Sequence, residues 1–470
     1  MSLVDLPPNF IAKAKAILGD NGWIEDPDQL APYIREWRDR WVGTTQLLAL
    51  PSATKTLAEL VQHCAQSNVA ITPQGGNTGL VGGQIPRGEL LVSTQRLTKV
   101  RALDKQAMTL TLEAGVTLEQ ATKTATDHDL LFALDLASGG SATIGGAVST
   151  NAGGMGVLRY GNMRDLVLGL EVVTPAGEIW NGLSELRKDN TGFDLKQLFI
   201  GAEGTLGIVT AASLRLFPQP KARVVAWCGV GSVDAALSLL VELRTMSGDQ
   251  ISKFELVSDL ALSLVLGVMP AARSPLATQH PWYVLVEFGL SDAIHGPARM
   301  TAALDTAMSH RLLDDASIAQ THAQAQSFIA LRENISAAQK SQGTVLKHDI
   351  SLPLASIPEF LEAAATAITA TWPGTRICAF GHLGDGNLHY NLLQPTQISA
   401  DVFAAARDDI AQLVHDLVHQ RAGSFSAEHG IGIAKKADMQ RYKSVTELRM
   451  MQQIKQALDP QNLMNPRLWF

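Results

Sequence analysis

Glycine is distributed very unevenly along the 470-residue chain, and this distribution restricts its fold more than any other feature. Six glycines lie within residues 75–88 and nine within residues 139–169, and a third glycine-rich segment covers residues 201–207. Short β-rich runs, such as residues 90–93, lie between the first two clusters. This pattern predicts strands joined by tight turns, whose backbone N–H groups can approach a ligand closely.

The glycine-rich turns do not match the common nucleotide-binding signatures. The fingerprint G-x-G-x-x-G is absent, because the glycines within residues 76–82 have a different spacing, and no Gly-Lys-Ser/Thr occurs. A nicotinamide or ATP enzyme of the common kinds is therefore disfavoured. In a single loop of this kind the glycines often do no more than permit a tight turn. Three long glycine-rich segments favour a backbone cradle for a phosphate-bearing ligand.

Composition excludes several classes of protein. Lys and Arg total 38 against 45 Asp and Glu, a formal net charge of −7, which argues against a dominant nucleic-acid function. The cysteines at 64, 228 and 378 form no CxxC pair, so a cysteine-rich zinc or iron–sulfur site is not expected. The N-terminal segment lacks the pattern of a signal peptide, and the longest mostly apolar stretch, residues 260–272, is too short to span a membrane. We expect a soluble, cytoplasmic protein.

The pattern of secondary structure changes after Pro218 and Pro220. Before them, a helix from about residue 51 leads into a strand over 69–72, which enters the first glycine cluster. After them, strands alternate with helices, which indicates an α+β domain whose sheet is covered on one face. The predicted strands are 223–230, 251–257 and 282–288, the helices are 233–246, 297–309 and 401–421, and a hairpin covers 376–393.

A histidine pair near residue 385 is the strongest chemical signal. The Asp385-Gly386 dipeptide between apolar runs predicts a hairpin turn, which would place His382 directly opposite His389. Their Cβ atoms would then be about 5 Å apart, with Asn391 on the same face. Two imidazoles at this separation can share a divalent metal. A stacked histidine pair without a metal is the alternative.

Two further groups of residues suit the same chemistry. Glu428 could complete a His–His–Glu set that leaves a position for substrate, and His429 could act as a base beside it. Arg332 and Lys347 could bind carboxylates, and Ser336 would share a helix face with Arg332. Taken alone, each of these groups also suits a solvated surface.

Residues 73–83 resemble the pyrophosphate loop of the vanillyl-alcohol-oxidase (p-cresol-methylhydroxylase) type of FAD-binding fold. The segments 151–154, 159–165 and 201–207 are similar to its other flavin-contacting parts, and the likeness is most specific for the D-2-hydroxy-acid dehydrogenase branch. The resemblance implies an α+β fold: a two-lobed FAD-binding domain over residues 1–219, with its core from about residue 43, and an α+β substrate domain with an antiparallel sheet over 220–430. A C-terminal helical segment, 431–470, would pack back on the FAD domain.

The resemblance also implies the site residues. FAD would be held non-covalently, since Asn77 and Thr78 stand where covalent relatives often carry a histidine. The metal, zinc or manganese, would be bound by His382, His389 and Glu428, and His429 would accept the proton. The substrate would contact Arg332, Ser336, Lys347, Asn391 and His429. The cofactor residues would be Pro73, Gly75, Gly76, Asn77, Thr78, Gly79, Ser141, Gly145, Gly146, Asn151, Gly153, Gly154, Glu203, Gly204, Gly207, Ile208 and Asn465.

The function implied is oxidation of a D-2-hydroxy acid to the 2-oxo acid by hydride transfer to flavin N5. D-2-hydroxyglutarate is the leading substrate, because Lys347 could bind a second carboxylate. D-Lactate, D-malate and glycolate remain alternatives, as do a flavoprotein subunit of a larger redox complex and a metal-dependent hydrolase. The electron acceptor would be electron-transferring flavoprotein or a quinone-linked carrier. The expected partners include no nucleic acid and no membrane span, and a homodimer is compatible with the sequence.

Overall fold

The computed structural model describes residues 6–469. The chain divides into two compact units. The first unit contains the residues up to Gly154, Gly161–Gln219 and the segment from Glu428 onward, and the second contains Met155–Tyr160 and Pro220–Ala427. Within residues 6–469, no helix is both long and apolar enough to cross a membrane.

The first unit contains two main sheets. A four-stranded sheet has the order β1-β2-β4-β3, in which β4 runs parallel to β2 and β3. A five-stranded antiparallel sheet has the order β5-β6-β10-β8-β9, and β11 pairs with β7. The strands are β1 (Trp23–Ile24), β2 (Leu48–Ala49), β3 (Ile71–Gln74), β4 (Leu90–Ser93), β5 (Val100–Asp104), β6 (Thr109–Glu113), β7 (Leu130–Leu131), β8 (Val167–Val173), β9 (Ile179–Gly182), β10 (Ile208–Arg215) and β11 (Phe217–Pro218).

Helices flank these sheets. They are Pro8–Leu18, Pro27–Ile34, Thr54–Ser67, Leu118–Thr126, Ile144–Thr150, Met163–Leu166, Lys196–Phe199, Lys436–Tyr442 and Val445–Leu458. The helix Thr54–Ser67 buries Leu57, Leu60, Val61 and Cys64, the apolar positions that predicted it. The C-terminal segment also belongs to this unit, since Asn465 donates its backbone N–H to the carbonyl of Ile71 at the start of β3.

The second unit is built on one eight-stranded antiparallel sheet. Its order is β15-β12-β14-β13-β18-β19-β16, with β17 also paired to β19. The strands are β12 (Ala222–Val230), β13 (Ile251–Ser258), β14 (Trp282–Leu290), β15 (Asp315–Ile318), β16 (Val345–Leu346), β17 (Asp349–Ser351), β18 (Arg376–His382) and β19 (Asn387–Leu393). The α-helices are Val157–Tyr160, Val233–Ser247, Asp259–Val268, Gly296–Ser309, His322–Glu333, Ile335–Ala338, Ile357–Thr371, Ala400–Ala405 and Arg407–Gln420.

This sheet is buried on both faces, so the prediction of one covered face is wrong. Alternate residues of β12 enter different cores: Val224 and Ala226 lie in one cluster, and Val225 and Trp227 lie in the other. The strands are near-continuous apolar runs, which is typical of a sheet covered on both sides. The second face is covered by the helices Asp259–Val268, His322–Glu333 and Ile335–Ala338, and it carries the predicted site.

Local signals explain where the helices begin and end. Ser232 accepts a hydrogen bond from the backbone of Ala235 and caps the helix Val233–Ser247, which ends at Gly248 with a left-handed φ of 65°. The predicted helix over 401–421 is in fact two helices, because the chain leaves helical geometry at Ala406.

Candidate active site

The histidine hairpin has a different register from the one predicted. Phe380 in β18 lies opposite His389 in β19, so the prediction that His382 faces His389 directly is wrong. The connection is longer than a two-residue turn, because a 3-10 turn over Leu383–Asp385 precedes Gly386, which has a φ of 83°. The register shifts by two residues, and a shift of two leaves both histidines on the same face of the sheet.

His382 and His389 nevertheless lie side by side as diagonal neighbours. Their ring centroids are 5.7 Å apart. One ring nitrogen of His382 lies within 4.8 Å of a ring nitrogen of His389. Two imidazole nitrogens at this separation can bind one divalent metal, so the structure brings together the two-histidine part of the predicted metal site.

A carboxylate lies beside each histidine. His382 is paired across the sheet with Glu255 of β13, and its Nδ1 lies 2.8 Å from Glu255 Oε1. His389 is paired with Asp349 of β17, with 3.7 Å between His389 Nδ1 and Asp349 Oδ1. Carboxylates in such positions orient the imidazoles that bind metals. Glu255 was not among the predicted site residues, although an acid in the middle of the predicted strand 251–257 was a signal that it has a buried partner.

Arg332 lies in the protein interior and not on a solvated helix face. It is 7% exposed, its guanidinium carbon lies 4.8 Å from the Phe380 ring, and its Nη2 lies 2.8 Å from Glu255 Oε2. The two side chains form an ion pair whose alignment is too poor for a hydrogen bond. Burial alone would raise the pKa of Glu255, but its interactions with His382 and Arg332 favour the ionised carboxylate, outweigh burial and hold that pKa below its ordinary value.

The single helix predicted to carry Arg332 and Ser336 is interrupted. One helix ends at Glu333 and a second covers Ile335–Ala338, so the prediction of a shared helix face is wrong. Ser336 is exposed, and Lys347 Nζ lies 3.5 Å from its carbonyl oxygen. Ser336 and Lys347 are therefore neighbours, as the predicted substrate site requires.

Arg332 and Lys347 supply positive charge to one region of the sheet. Burial raises the pKa of the Cys378 thiol to about 11, and the hydrogen bond from Gln339 and the charges of Lys347 and Arg332 oppose that rise. Asn391 lies opposite Cys378 and donates from its Nδ2 to Gln339 Oε1 at 3.0 Å. Its Oδ1 is buried and has no hydrogen-bond partner among residues 6–469. Asn391 therefore offers a buried acceptor on the face of the sheet that carries His382 and His389.

Chain connectivity limits where the backbone of Glu428 can lie. The backbone N–H of Ala427 donates to the carbonyl of Asp349, the residue opposite His389 in the sheet. Glu428 follows Ala427 directly, so its Cα lies about 3.8 Å from that of Ala427. Glu428 and His429 open the last segment of the first unit.

The loop that begins at Glu428 is held by the half-buried side chain of Glu203, within the first unit. Its Oε1 accepts the N–H of Ile431 at 3.0 Å and that of Gly432 at 3.1 Å, and its Oε2 accepts the indole N–H of Trp469 at 2.6 Å. Burial raises the pKa of Glu203, and these donors oppose the rise. The side chain of Glu203 thus fixes the loop that carries the predicted base, and its predicted contact with the cofactor stays a prediction.

The glycine-rich loop after β3 packs against a second backbone segment. A Cβ at Gly76 would overlap the carbonyl of Ser141, and one at Gly75 would meet Thr143 Oγ1, so glycine is needed at both positions. Within the described chain, the backbone N–H groups of residues 75–80 donate no hydrogen bond. Consecutive N–H groups of this kind bind anions, and this loop therefore fits a diphosphate.

Asn77 and Asn465 support this cradle. Asn77 has a left-handed φ of 55°, and its Nδ2 donates to the carbonyls of Pro32 and Arg35, so its side chain anchors the loop. Asn465 donates from Nδ2 to the carbonyl of Gly83, while its Oδ1 is buried without a partner among residues 6–469. Such an unsatisfied buried acceptor is expected where a ligand supplies the donor.

The other predicted cofactor residues lie in strands, turns and helices of the first unit, with Pro73 in β3 and Ile208 at the start of β10. Asn151 ends the helix Ile144–Thr150 with a left-handed φ of 49°, and a Cβ at Gly154 would overlap the carbonyl of Asp135. The remaining members of this set are Pro73, Thr78, Gly79, Gly145, Gly146, Gly153, Gly204, Gly207 and Ile208. Their roles toward a cofactor stay predictions.

Gly76→Ala is expected to impair cofactor binding. The new methyl group must displace the Ser141 backbone, and overpacking of this kind costs about 1–3 kcal/mol. The expected result is purified protein with a lower FAD-to-protein ratio and a lower melting temperature. Gly267→Ala is the control, because a Cβ there meets no atom within 4 Å. Wild-type FAD content in Gly76→Ala would contradict the proposed cradle.

Comparisons with known proteins agree with this reading of the first unit. The family model described as "FAD binding domain" matches residues 45–182, and the model "FAD linked oxidases, C-terminal domain" matches residues 219–468. The chain belongs to the FAD-linked oxidases and is an FAD-dependent dehydrogenase.

The curated relatives are similar over most of their length. The D-2-hydroxyglutarate--pyruvate transhydrogenase DLD3 of Saccharomyces cerevisiae is 36% identical over 98% of this chain and 95% of its own length. The D-2-hydroxyglutarate dehydrogenase of Xanthomonas citri pv. viticola is 38% identical over 94% of this chain and 92% of its own. A putative mitochondrial D-lactate dehydrogenase of Schizosaccharomyces pombe is 34% identical over 96% and 88%, respectively.

Solved structures share the fold. P-cresol methylhydroxylase superposes with a TM-score of 0.75 at 15% identity, over 98% of this chain and 97% of the other. An alkyldihydroxyacetonephosphate synthase superposes with a TM-score of 0.75 at 18% identity, over 99% and 87%. The predicted fold class is therefore confirmed.

Proposed function

We propose that this protein oxidises D-2-hydroxyglutarate to 2-oxoglutarate with FAD and a divalent metal. The observation that carries the proposal is the cluster on one face of the second unit's sheet, where His382 and His389 lie side by side and Glu255 joins His382 to the buried cation Arg332. A second cation, Lys347, lies beside Ser336 in the same unit. A metal site and two cations in one unit suit a substrate with a hydroxyl and two carboxylates. The names of the relatives in yeast and Xanthomonas support the same substrate.

The metal would be zinc, with manganese as the alternative. His382 and His389 would each supply a ring nitrogen, and Glu428 would supply a carboxylate. Glu428 directly follows Ala427, whose backbone N–H donates a hydrogen bond to Asp349 of β17. The two imidazoles fit zinc, and imidazole with carboxylate fits manganese as well. When bound, the metal supplies a Lewis acid that lowers the pKa of a coordinated hydroxyl group.

The cations of the sheet would bind and orient the substrate. Arg332 is held by Glu255, which leaves its guanidinium in a fixed position from which to bind a carboxylate. Lys347 would bind the second carboxylate as a point charge, beside Ser336. Asn391 Oδ1 offers a buried acceptor for a substrate hydroxyl or for water. His429 would accept the proton of the 2-hydroxyl group.

FAD would lie along the cradle of the first unit, with its diphosphate on residues 75–80, and would supply the two-electron acceptor at flavin N5. The electron acceptor of the reduced enzyme would be electron-transferring flavoprotein or a quinone-linked carrier. A 2-oxo acid such as pyruvate is a second candidate, because pyruvate appears in the name of the yeast relative.

The proposal is tested by anaerobic mixing of the purified holoprotein with D-2-hydroxyglutarate while the flavin absorption band is followed. Fast bleaching that is lost with a chelator and restored by Zn²⁺ is expected. The L-enantiomer should leave the band unchanged, and pyruvate is added last to test for reoxidation. Bleaching that survives metal removal would exclude the metal, and bleaching by D-lactate but not by D-2-hydroxyglutarate would change the substrate.

Lys347→Met is expected to change substrate preference. Methionine keeps the length of the side chain but removes the charge proposed for the second carboxylate, which D-lactate lacks. One charge-assisted contact contributes about 1.5–3 kcal/mol, so kcat/KM for D-2-hydroxyglutarate should fall roughly 10- to 150-fold. The value for D-lactate should change little. Equal losses for the two substrates would remove the proposed role of Lys347, and Lys340→Met, on an exposed residue of the same unit, is the control.

A D-lactate dehydrogenase is the second candidate function, since the Schizosaccharomyces relative carries that name. The same metal and base would serve it, but Lys347 would then have no substrate partner. The ratio of kcat/KM for the two substrates in the wild-type enzyme decides between the candidates.

A further inference from the structure

Glu255 is a charged residue in a position that normally excludes charge. It lies in the middle of β13, it is fully buried, and its neighbours Phe254 and Leu256 belong to the core of the second unit. A buried carboxylate is costly unless it is paired. The side chains that pair with Glu255 therefore indicate why this position holds an acid.

The two oxygens of this carboxylate hold two different side chains. Oε1 lies 2.8 Å from His382 Nδ1, and Oε2 lies 2.8 Å from Arg332 Nη2. Arg332 is itself almost fully buried, with Phe380 against its guanidinium. One rigid strand residue thus fixes a proposed metal ligand and a proposed carboxylate-binding cation.

The contact with His382 also selects which ring nitrogen faces the metal. Since Glu255 Oε1 occupies Nδ1, Nδ1 carries the hydrogen and Nε2 keeps the lone pair that a metal requires. The carboxylate in addition makes the imidazole a stronger ligand. On the other side, Arg332 can turn its remaining N–H groups toward a substrate only while Glu255 holds it in place.

We propose that Glu255 is the positioning residue that couples metal binding by His382 to substrate binding by Arg332. This inference rests on the proposed function, because it requires a metal on His382. It predicts that a single change at Glu255 weakens both zinc affinity and substrate affinity, although Glu255 itself touches neither.

The test compares Glu255→Gln with Glu287→Gln in the FAD-loaded protein. Glu287 is a matched control: it is 2% exposed, lies in the neighbouring strand β14, and pairs with Ser252 Oγ at 2.6 Å and with Arg223 at 3.6 Å. Zn²⁺ affinity is measured by competition with a chelator, without substrate, and KM and kcat are measured at saturating Zn²⁺. FAD content and melting temperature report folding.

Glu255→Gln is expected to bind Zn²⁺ about 10-fold or more weakly, at the lower end of the range for such orienting partners, and to raise KM for D-2-hydroxyglutarate more than it lowers kcat. Glu255→Asp, which keeps the charge on a shorter side chain, should recover part of both losses. Glu287→Gln should keep wild-type Zn²⁺ affinity even if its melting temperature falls.

Three results would overturn the inference. In the first, Glu255→Gln keeps Zn²⁺ affinity and KM within about twofold of wild type. In the second, Glu287→Gln weakens Zn²⁺ binding as much as Glu255→Gln does, which would show that both variants lose zinc affinity through a general loss of structure. If Glu255→Gln does not fold, Glu255→Asp carries the same comparison. A wild-type protein that binds no Zn²⁺ would overturn the proposed function as well, whereas the first two results would leave it standing.

Discussion

His389→Ala is expected to yield a folded flavoprotein that binds no zinc and oxidises D-2-hydroxyglutarate at least about 10³-fold more slowly, because loss of a Lewis acid removes several kcal/mol of transition-state stabilisation. The His389 imidazole supplies one of the two ring nitrogens of the His382–His389 pair. The ring of Phe380 packs against the His389 ring. The proposed FAD cradle belongs to the first unit, so the flavin absorption band should persist. Zinc per protein, the flavin spectrum and the rate of flavin reduction are the three measurements.

The control for His389→Ala is His348→Gln. His348 is also a buried histidine of this sheet region, but its Nδ1 contacts the carbonyl of Tyr390 and it is not in the His382–His389 pair. This variant is expected to bind one zinc per chain, even if it is less stable. A wild-type protein treated with chelator should recover activity with Zn²⁺, and His389→Ala should not. Wild-type zinc content in His389→Ala would remove His389 from the metal site.

The sequence predicted the elements of the second unit well, because the strands are long and apolar. The predicted strand 282–288 is observed as Trp282–Leu290, and the predicted helix 233–246 as Val233–Ser247. A helix was predicted at Arg332 and Ser336, but its packing on the second face of the sheet was not predicted, because strand periodicity does not show which helices cover a sheet.

The site was predicted in its residues more than in its geometry. Histidines 382 and 389 lie together as predicted, but the Asp-Gly signal gave a two-residue turn where the chain forms a 3-10 turn. Local turn chemistry cannot predict that His382 pairs with Glu255, because these two residues lie 127 positions apart in the sequence. The contacts of Glu255 with His382 and of Glu203 with the loop after Glu428 join residues far apart in sequence, and only the structure shows them.

His429→Ala is expected to separate proton transfer from binding. A positioned general base contributes about 10²–10⁴-fold, so flavin reduction by D-2-hydroxyglutarate should slow by that factor. The backbone of the loop is fixed independently, through the contacts of Ile431 and Gly432 with Glu203, so the loop should keep its shape without the imidazole. FAD content and zinc content should therefore both remain at wild-type values.

This combination distinguishes His429 from the metal ligands. His389→Ala should lose zinc and activity together, whereas His429→Ala should lose only the rate of reduction. The measurement is anaerobic stopped-flow reduction of zinc-loaded protein, with substrate carrying deuterium or hydrogen at C2. If the proton of the hydroxyl group leaves through His429, the variant should stay slow at saturating substrate and should still show an isotope effect at C2. Wild-type reduction rates in His429→Ala would show that another group, or the metal alone, deals with that proton.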